Sequence, residues 1–215
     1  MKKIVVRHLG LVAYEPCWEE QKKLVAQRQQ DEIPDTLLLV EHPPTYTLGK
    51  GGDAKHMLAD QKILHEIKAT FVHTDRGGDI TYHGPGQLVA YPILKLRELK
   101  LDVHAYLRQL EEVTIQTLAH YGVKAGRVNG MTGVWVGDAK IAAIGVRLSR
   151  WVSMHGIAVN LNVDLNYFKY IVPCGIAAKP VTSLNQLLDK KVDEAKFTQK
   201  FVQTFQQVFC PTCAI

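Results

Sequence analysis

Between residues 133 and 161 three apolar segments of strand period follow one another with no helical pattern between them: 133–136, 140–148 and 154–161. The first two flank Gly137-Asp138, a pair suited to a two-residue hairpin turn of type II′ or I′. A hairpin makes its two strands antiparallel, whereas parallel neighbours need a crossover of a dozen or more residues. This block therefore excludes a regularly wound, all-parallel α/β sheet.

The remaining patterns fit around it. Strands are expected at 3–7, at 36–40 ending in His42-Pro43-Pro44, at 45–48, at 70–74 and at 87–94. A helix over 14–28 turns Trp18, Leu24 and Val25 inward. Asp102 N-caps a second helix that runs to about His120, with Val103, Tyr106, Leu107, Leu110, Val113 and Leu118 as its apolar stripe and Gly122 as its stop. A third, 193–209, presents Phe197, Phe201, Val202, Phe205 and Val208. The fold class is α+β with a mixed or antiparallel sheet. With 215 residues and no linker or repeat, one domain spanning 1–215 is expected, the residues after about 209 forming a tail.

Composition narrows the setting. No segment reaches the roughly 18 to 20 apolar residues that span a bilayer, and the basic start at Lys2-Lys3 meets charge again at Arg7 before an apolar core of a signal peptide forms. A cytoplasmic protein with no membrane partner is expected. Four cysteines are too few for a disulfide scaffold and read as free thiols, ligands or nucleophiles. The net charge of +5 suggests an anionic partner, but the basic residues are dispersed, so nucleic acid is not expected.

Three segments carry chemistry. The first is Asp75-Arg76-Gly77-Gly78-Asp79-Ile80-Thr81-Tyr82-His83-Gly84-Pro85-Gly86-Gln87. Its glycines allow sharp turns and close approach to a ligand, and Arg76, Thr81, Tyr82 and His83 can hydrogen-bond one. No Gly-Lys-Ser/Thr closes it, so it is not a nucleotide P-loop. The second is Lys140-Ile141-Ala142-Ala143-Ile144-Gly145. Period 2 places Lys140, Ala142 and Ile144 on one face; Lys140 is then either at the wet end of a strand or in a site. The third is Pro173-Cys174-Gly175-Ile176, where Cys174 sits in a proline-to-glycine turn. It is either an acyl-transfer nucleophile, activated by a nearby cation, or a small buried hydrophobe. Cys17 beside Trp18 reads as core, and His155 as either a site residue or a hydrogen-bonded structural histidine. Cys210 and Cys213 have C-x-x-C spacing but no second pair to complete a zinc site, so no metal is expected.

Taken together, the Arg76-to-Gln87 loop, Lys140-to-Gly145, His155-Gly156-Ile157-Ala158 and Pro173-to-Ile176 resemble, in order and spacing, the signature blocks of the lipoyl(octanoyl) transferases, over about residues 37–188. The resemblance implies the α+β fold of the biotin/lipoate protein ligase catalytic domains. It implies that Cys174 takes octanoyl from octanoyl-acyl carrier protein as a thioester, with Lys140 as its partner. A lysine of a lipoyl domain of the 2-oxoacid dehydrogenase complexes, or of the glycine-cleavage H protein, then accepts the acyl group as an amide. Residues Arg76, Gly77, Gly78, Asp79, Ile80, Thr81, Tyr82, His83, Ala143, Ile144, Gly145, Gly156, Ile157 and Ala158 would line the acyl site. Neither ATP nor a metal would be needed. Three rivals share parts of this pattern: an ATP-dependent lipoate or biotin ligase, a lipoyl amidotransferase with a different donor, and an inactive carrier-binding module. Retention of both Cys174 and Lys140 argues against the last.

Overall fold

Leu37 and Leu39 of strand β2 (Thr36–Glu41) pack into one apolar layer and Leu38 and Val40 into another, because successive strand side chains point to opposite faces. The same division runs through β6 (Gln87–Ile93), where Leu88 and Ala90 face one way and Val89 and Tyr91 the other. Strands buried on both faces require cover on both. The computed structural model, which describes residues 4–172 and 179–210, supplies it.

The main sheet has seven strands in the order β1-β2-β6-β10-β9-β8-β7. Besides β2 and β6 these are β1 (Val5–Leu11), β7 (Gly126–Val128), β8 (Met131–Val136), β9 (Ala139–Ser149) and β10 (Val152–Asn160). Only β1 and β2 run parallel; every other neighbour is antiparallel. Helix α1 (Tyr14–Gln29) covers one face through Cys17, Leu24 and Val25. Helices α3 (Val103–Ala119) and α5 (Glu194–Phe209) cover the other. The α5 stripe Phe197, Phe201 and Phe205 is fully buried there, each ring contributing about 1.5–3 kcal/mol of transfer energy. Asp102 and Asp193 cap α3 and α5 by accepting from the N–H of Ala105 and Lys196.

A smaller sheet, β4-β3-β5, is built from β3 (Thr45–Leu48), β4 (Thr70–His73) and β5 (Ile80–His83). Its apolar side holds Tyr46, Ile80 and Tyr82 against Leu64 of α2 (Gln61–Glu66) and against the 165–170 turn. A short helix, α4 (Leu184–Leu188), precedes α5.

The mixed sheet and the three long helices are those expected. The hairpin turns at Gly137 with φ +56°, and Asp138 is not left-handed, which is the II′ pattern. Elements β5, β7, α2 and α4 were not expected. Strand β5 lay inside the glycine-rich segment, where pairing of Thr45 with His83 and of Leu48 with Ile80 makes it the edge of the small sheet. Among the described residues no helix is long and apolar enough to cross a membrane. The Pro173-to-Ile176 block, with Cys174, and Cys213 lie outside the described residues.

Candidate active site

A cleft of about 730 Å³ opens between β9, β10 and the glycine-rich segment. Lys140, Ala143, Ile144 and Gly145 border it from β9, and Gly156, Ile157 and Ala158 from β10. Val103 and Leu107 of α3 and Met131, Thr132 and Trp135 of β8 add a further wall. Its size is ordinary for a small-molecule site.

Two close approaches shape it. A Cβ on Gly145 would stand 2.8 Å from the Gly77 carbonyl oxygen and 3.0 Å from Arg76 Cδ, so only glycine lets the loop lie on β9. The Gly77 N–H donates to the Val146 carbonyl at 2.9 Å and fastens the loop there. On β10, a Cβ on Gly156 would meet the Ala90 carbonyl oxygen at 2.1 Å, inside the β6–β10 ladder.

Lys140 is held through its backbone. Its N–H donates to the Pro180 carbonyl at 2.9 Å, and its carbonyl accepts from Thr182 N–H at 3.0 Å. It pairs across the sheet with Trp135, whose ring lies under the ammonium at 4.7 Å, a cation–π contact worth about 0.5–2 kcal/mol. The aliphatic stem crosses Gly133, where a Cβ would stand 3.3 Å from Lys140 Cε.

Arg76 is 6% exposed and reaches back to β3. Its Nη2 donates to the Thr47 carbonyl at 2.6 Å and to Thr47 Oγ1 at 2.9 Å. The floor beyond it is polar and buried. His83 Nδ1 donates to Gln87 Oε1 at 2.8 Å, and Gln87 Nε2 donates to Asn160 Oδ1 at 2.9 Å and to the Tyr82 carbonyl at 3.1 Å. His42 Nδ1 donates to the Val12 carbonyl at 2.6 Å, and its Nε2 accepts from the Tyr91 hydroxyl at 2.8 Å. Tyr14 stacks on His83 and tilts against His42. Burial pushes His42 down to about 4 and His83 to about 3, so both are neutral at pH 7.

His155 is the strained member. It lies inside β10 with φ +60°, an uncommon conformation for a non-glycine residue. By alternation it should share the face of Ile157. The left-handed turn instead carries its ring to the α1 side, near Tyr91 and Trp18. There Nε2 donates to Asp75 Oδ1 at 2.7 Å, and the backbone N–H donates to Gln21 Oε1 at 2.9 Å. Burial pushes His155 down to about 4 against the pull of Asp75. Burial opposes ionisation of Asp75 too, but His155 and Arg147 hold its carboxyl below the usual range.

The chain on either side of 173–178 is anchored beside the cleft. Val172 N–H donates to the His56 carbonyl at 2.9 Å, and Pro180 is bonded to Lys140 as described. His56 Nδ1 lies 2.6 Å from Asp79 Oδ2, outside hydrogen-bond alignment. Among the described residues no group of three or more His, Cys, Asp or Glu is gathered as for a metal ion.

The architecture has counterparts among known proteins. A putative lipoate protein ligase from T. acidophilum superimposes with a TM-score of 0.70 at 14% identity, over 95% of this chain and 84% of that one. The biotin protein ligase of Aquifex aeolicus gives a TM-score of 0.54 at 14% identity, over 97% and 70%. Those likenesses establish the fold. The family model described as "Lipoyl protein ligase A/B catalytic domain" matches residues 13–206. The chain belongs to the lipoyl protein ligase A/B catalytic-domain family. Within that family, the octanoyltransferase of Solibacter usitatus is 50% identical over 218 residues, covering 100% of this chain and 99% of the other.

Of the residues expected to line the acyl site of a lipoyl(octanoyl) transferase, Arg76, Gly77, Gly78, Asp79, Ile80, Thr81, His83, Ala143, Ile144, Gly145, Gly156, Ile157 and Ala158 all border the one cleft, with Lys140. Tyr82 does not. It alternates with Thr81 and His83, so its ring turns into the small sheet's apolar side and stacks on Tyr167 at 4.8 Å. Sequence reasoning missed Tyr14, His56, Gln87, Tyr91, Trp135 and Asn160, which also line the cleft. Gln87 closes the glycine-rich segment singled out above, His56 sits in a short turn that carried no sequence signal, and the others showed only as a polar or aromatic residue on an otherwise apolar face.

Proposed function

We propose that this chain, an octanoyltransferase of protein lipoylation, carries the octanoyl group on Cys174 with Lys140 as its partner. The reading is supported by the placement of Lys140. Its ammonium lies in the acyl cleft, and its backbone holds Pro180, six residues past Cys174. On the other side Val172, two residues before Cys174, is bonded to His56 at the same cleft.

A cation beside a thiol favours the thiolate, which attacks the octanoyl carbonyl of the donor thioester. The phosphopantetheine thiolate of acyl carrier protein leaves and takes up a proton. The uncharged ε-amine of the acceptor lysine, on a lipoyl domain or the glycine-cleavage H protein, then attacks the enzyme thioester. Cys174 leaves, and the amine proton returns to it through Lys140. Exchange between thioesters is near balance and transfer to an amine runs downhill, so neither nucleotide nor metal enters. The small side chains of Ala143 and Ala158 at the cleft leave room for a straight chain. Each buried methylene is worth about 0.8 kcal/mol, which lets cleft depth select chain length.

Intact-protein mass spectrometry after mixing with octanoyl-acyl carrier protein, without ATP, tests this. A hydroxylamine-labile octanoyl adduct is expected on the native chain and not on Cys174→Ser. Transfer only with ATP and free octanoate would move the assignment to the ligase chemistry of the shared fold.

A further inference from the structure

Trp135 lies in β8 beside Lys140 and is 3% exposed. Its ring face meets the Lys140 ammonium at 4.7 Å and its side chain borders the cleft. Its indole Nε1–H is buried and finds no acceptor among the described residues. Buried donors are paired in the great majority of cases, and each orphan asks for an explanation. Indole is a donor only, so its partner must be an acceptor. Met131 and Thr132, at the start of the same strand, border the cleft as well, so β8 flanks it from its first residues to Trp135.

We propose that Trp135 has two functions in this site: its face positions the Lys140 ammonium, and its N–H donates to a carbonyl oxygen of the bound acyl donor. The second function makes it a substrate-binding residue. The first makes it a positioning residue that acts through Lys140. Donor substrates of this reaction bring carbonyl oxygens at the thioester and along the pantetheine arm, and such an oxygen satisfies the orphan donor. The local backbone serves the same end. Gly133, at φ +128°, leaves the space through which the Lys140 stem runs toward the ring. The assignment rests on Lys140 acting with Cys174, as proposed above, only for its positioning half.

Trp135→Phe keeps a ring face and removes the N–H; Trp135→Leu removes both. Two readouts separate the functions. One is calorimetric binding of an octanoyl-pantetheine analogue in which an amide replaces the thioester, so that the carbonyl stays but no transfer occurs. The other is the turnover number for octanoyl transfer to a lipoyl domain. Trp135→Phe should bind the analogue about tenfold more weakly with turnover within about threefold of the native chain, the worth of one hydrogen bond. Trp135→Leu should bind as weakly and also lose about tenfold or more in turnover, recovered by Phe. Native-like binding in Trp135→Phe overturns the donor function. Equal turnover in Phe and Leu variants overturns the positioning function. The Cys174 adduct measurement is independent of the binding readout. Weakened binding without an adduct keeps the indole contact and removes the cysteine reading; an adduct with unchanged binding does the reverse.

Discussion

The carboxylate of Glu111, buried under α3, accepts from the backbone N–H of Gly133 at 3.1 Å. Its second oxygen takes Arg127 at 2.9 Å and Arg108 at 2.7 Å. One side chain thus ties the helix to the hairpin β7–β8 that walls the cleft. Neutralising Glu111 weakens three charge-assisted hydrogen bonds at a buried carboxylate, while Arg127 keeps its bond to Glu112. Glu111→Gln should cost about 2–4 kcal/mol in urea unfolding and speed hydrogen exchange at the Gly133 amide. Unchanged exchange there would separate the hairpin from Glu111.

The neutral histidines beneath the cleft set an acid limit. His42, His83 and His155 are held at about 4, 3 and 4 in the folded chain against 6.5 in their ordinary state. Below pH 6.5 the unfolded chain binds protons that the folded chain refuses, so stability falls as pH falls from 6.5 toward 4. At pH 5 each can remove up to about 2 kcal/mol. Melting temperature should be flat from pH 8 to 7 and drop between 6.5 and 5, with a shallower drop in His155→Asn. Asp75 acts in a separate window: its carboxyl is held below the usual range, so its contribution is present above about pH 4 and is lost only below that.

Gly145 tests the fit of loop on strand. An added Cβ meets Gly77 O and Arg76 Cδ, a contact that the loop must yield to. Gly145→Ala should raise the donor KM by about tenfold with a melting temperature within a few degrees of the native chain, a loss of about 1.4 kcal/mol in binding. Gly156→Ala should behave differently. Its Cβ strikes the Ala90 carbonyl inside the ladder, and a loss of about 3 kcal/mol or more in stability is expected.

The role proposed for Lys140 divides into charge and proton transfer. Lys140→Arg keeps a cation but cannot give up a proton; Lys140→Met keeps neither. Alkylation of Cys174 by iodoacetamide at pH 7 should survive in the Arg variant and slow in the Met variant. Octanoyl transfer should fall by about 100-fold or more in both. Full transfer activity in Lys140→Arg would make the role purely electrostatic.

Much of the fold was legible because it is periodic. The stripes of α3 (apart from the exposed Val103) and α5, the Asp102 cap and the Gly137 hairpin turn are local patterns, and the folded chain keeps each. Strand β5 was hidden although Ile80 and Tyr82 alternate with Thr81 and His83, since the surrounding glycines read as loop. Tyr82 was then grouped with its polar neighbours, and only the strand's pleat sends it to the opposite face.

What the chain determined by itself is the order of its elements, the antiparallel block and the residue types of four chemical blocks. All of these follow from spacing within a few residues. The tertiary structure decided which of them meet. Trp135 comes under Lys140, Asp75 reaches His155 across eighty residues, and Asn160 reaches Gln87 across seventy-three. His155 turns to the α1 face against the parity of its strand because its φ is positive. Periodicity says which face a residue shares with its near neighbours. It carries no distance to residues on another element, and a single left-handed residue reverses it, so the polar floor of the cleft exists only once the sheet is assembled.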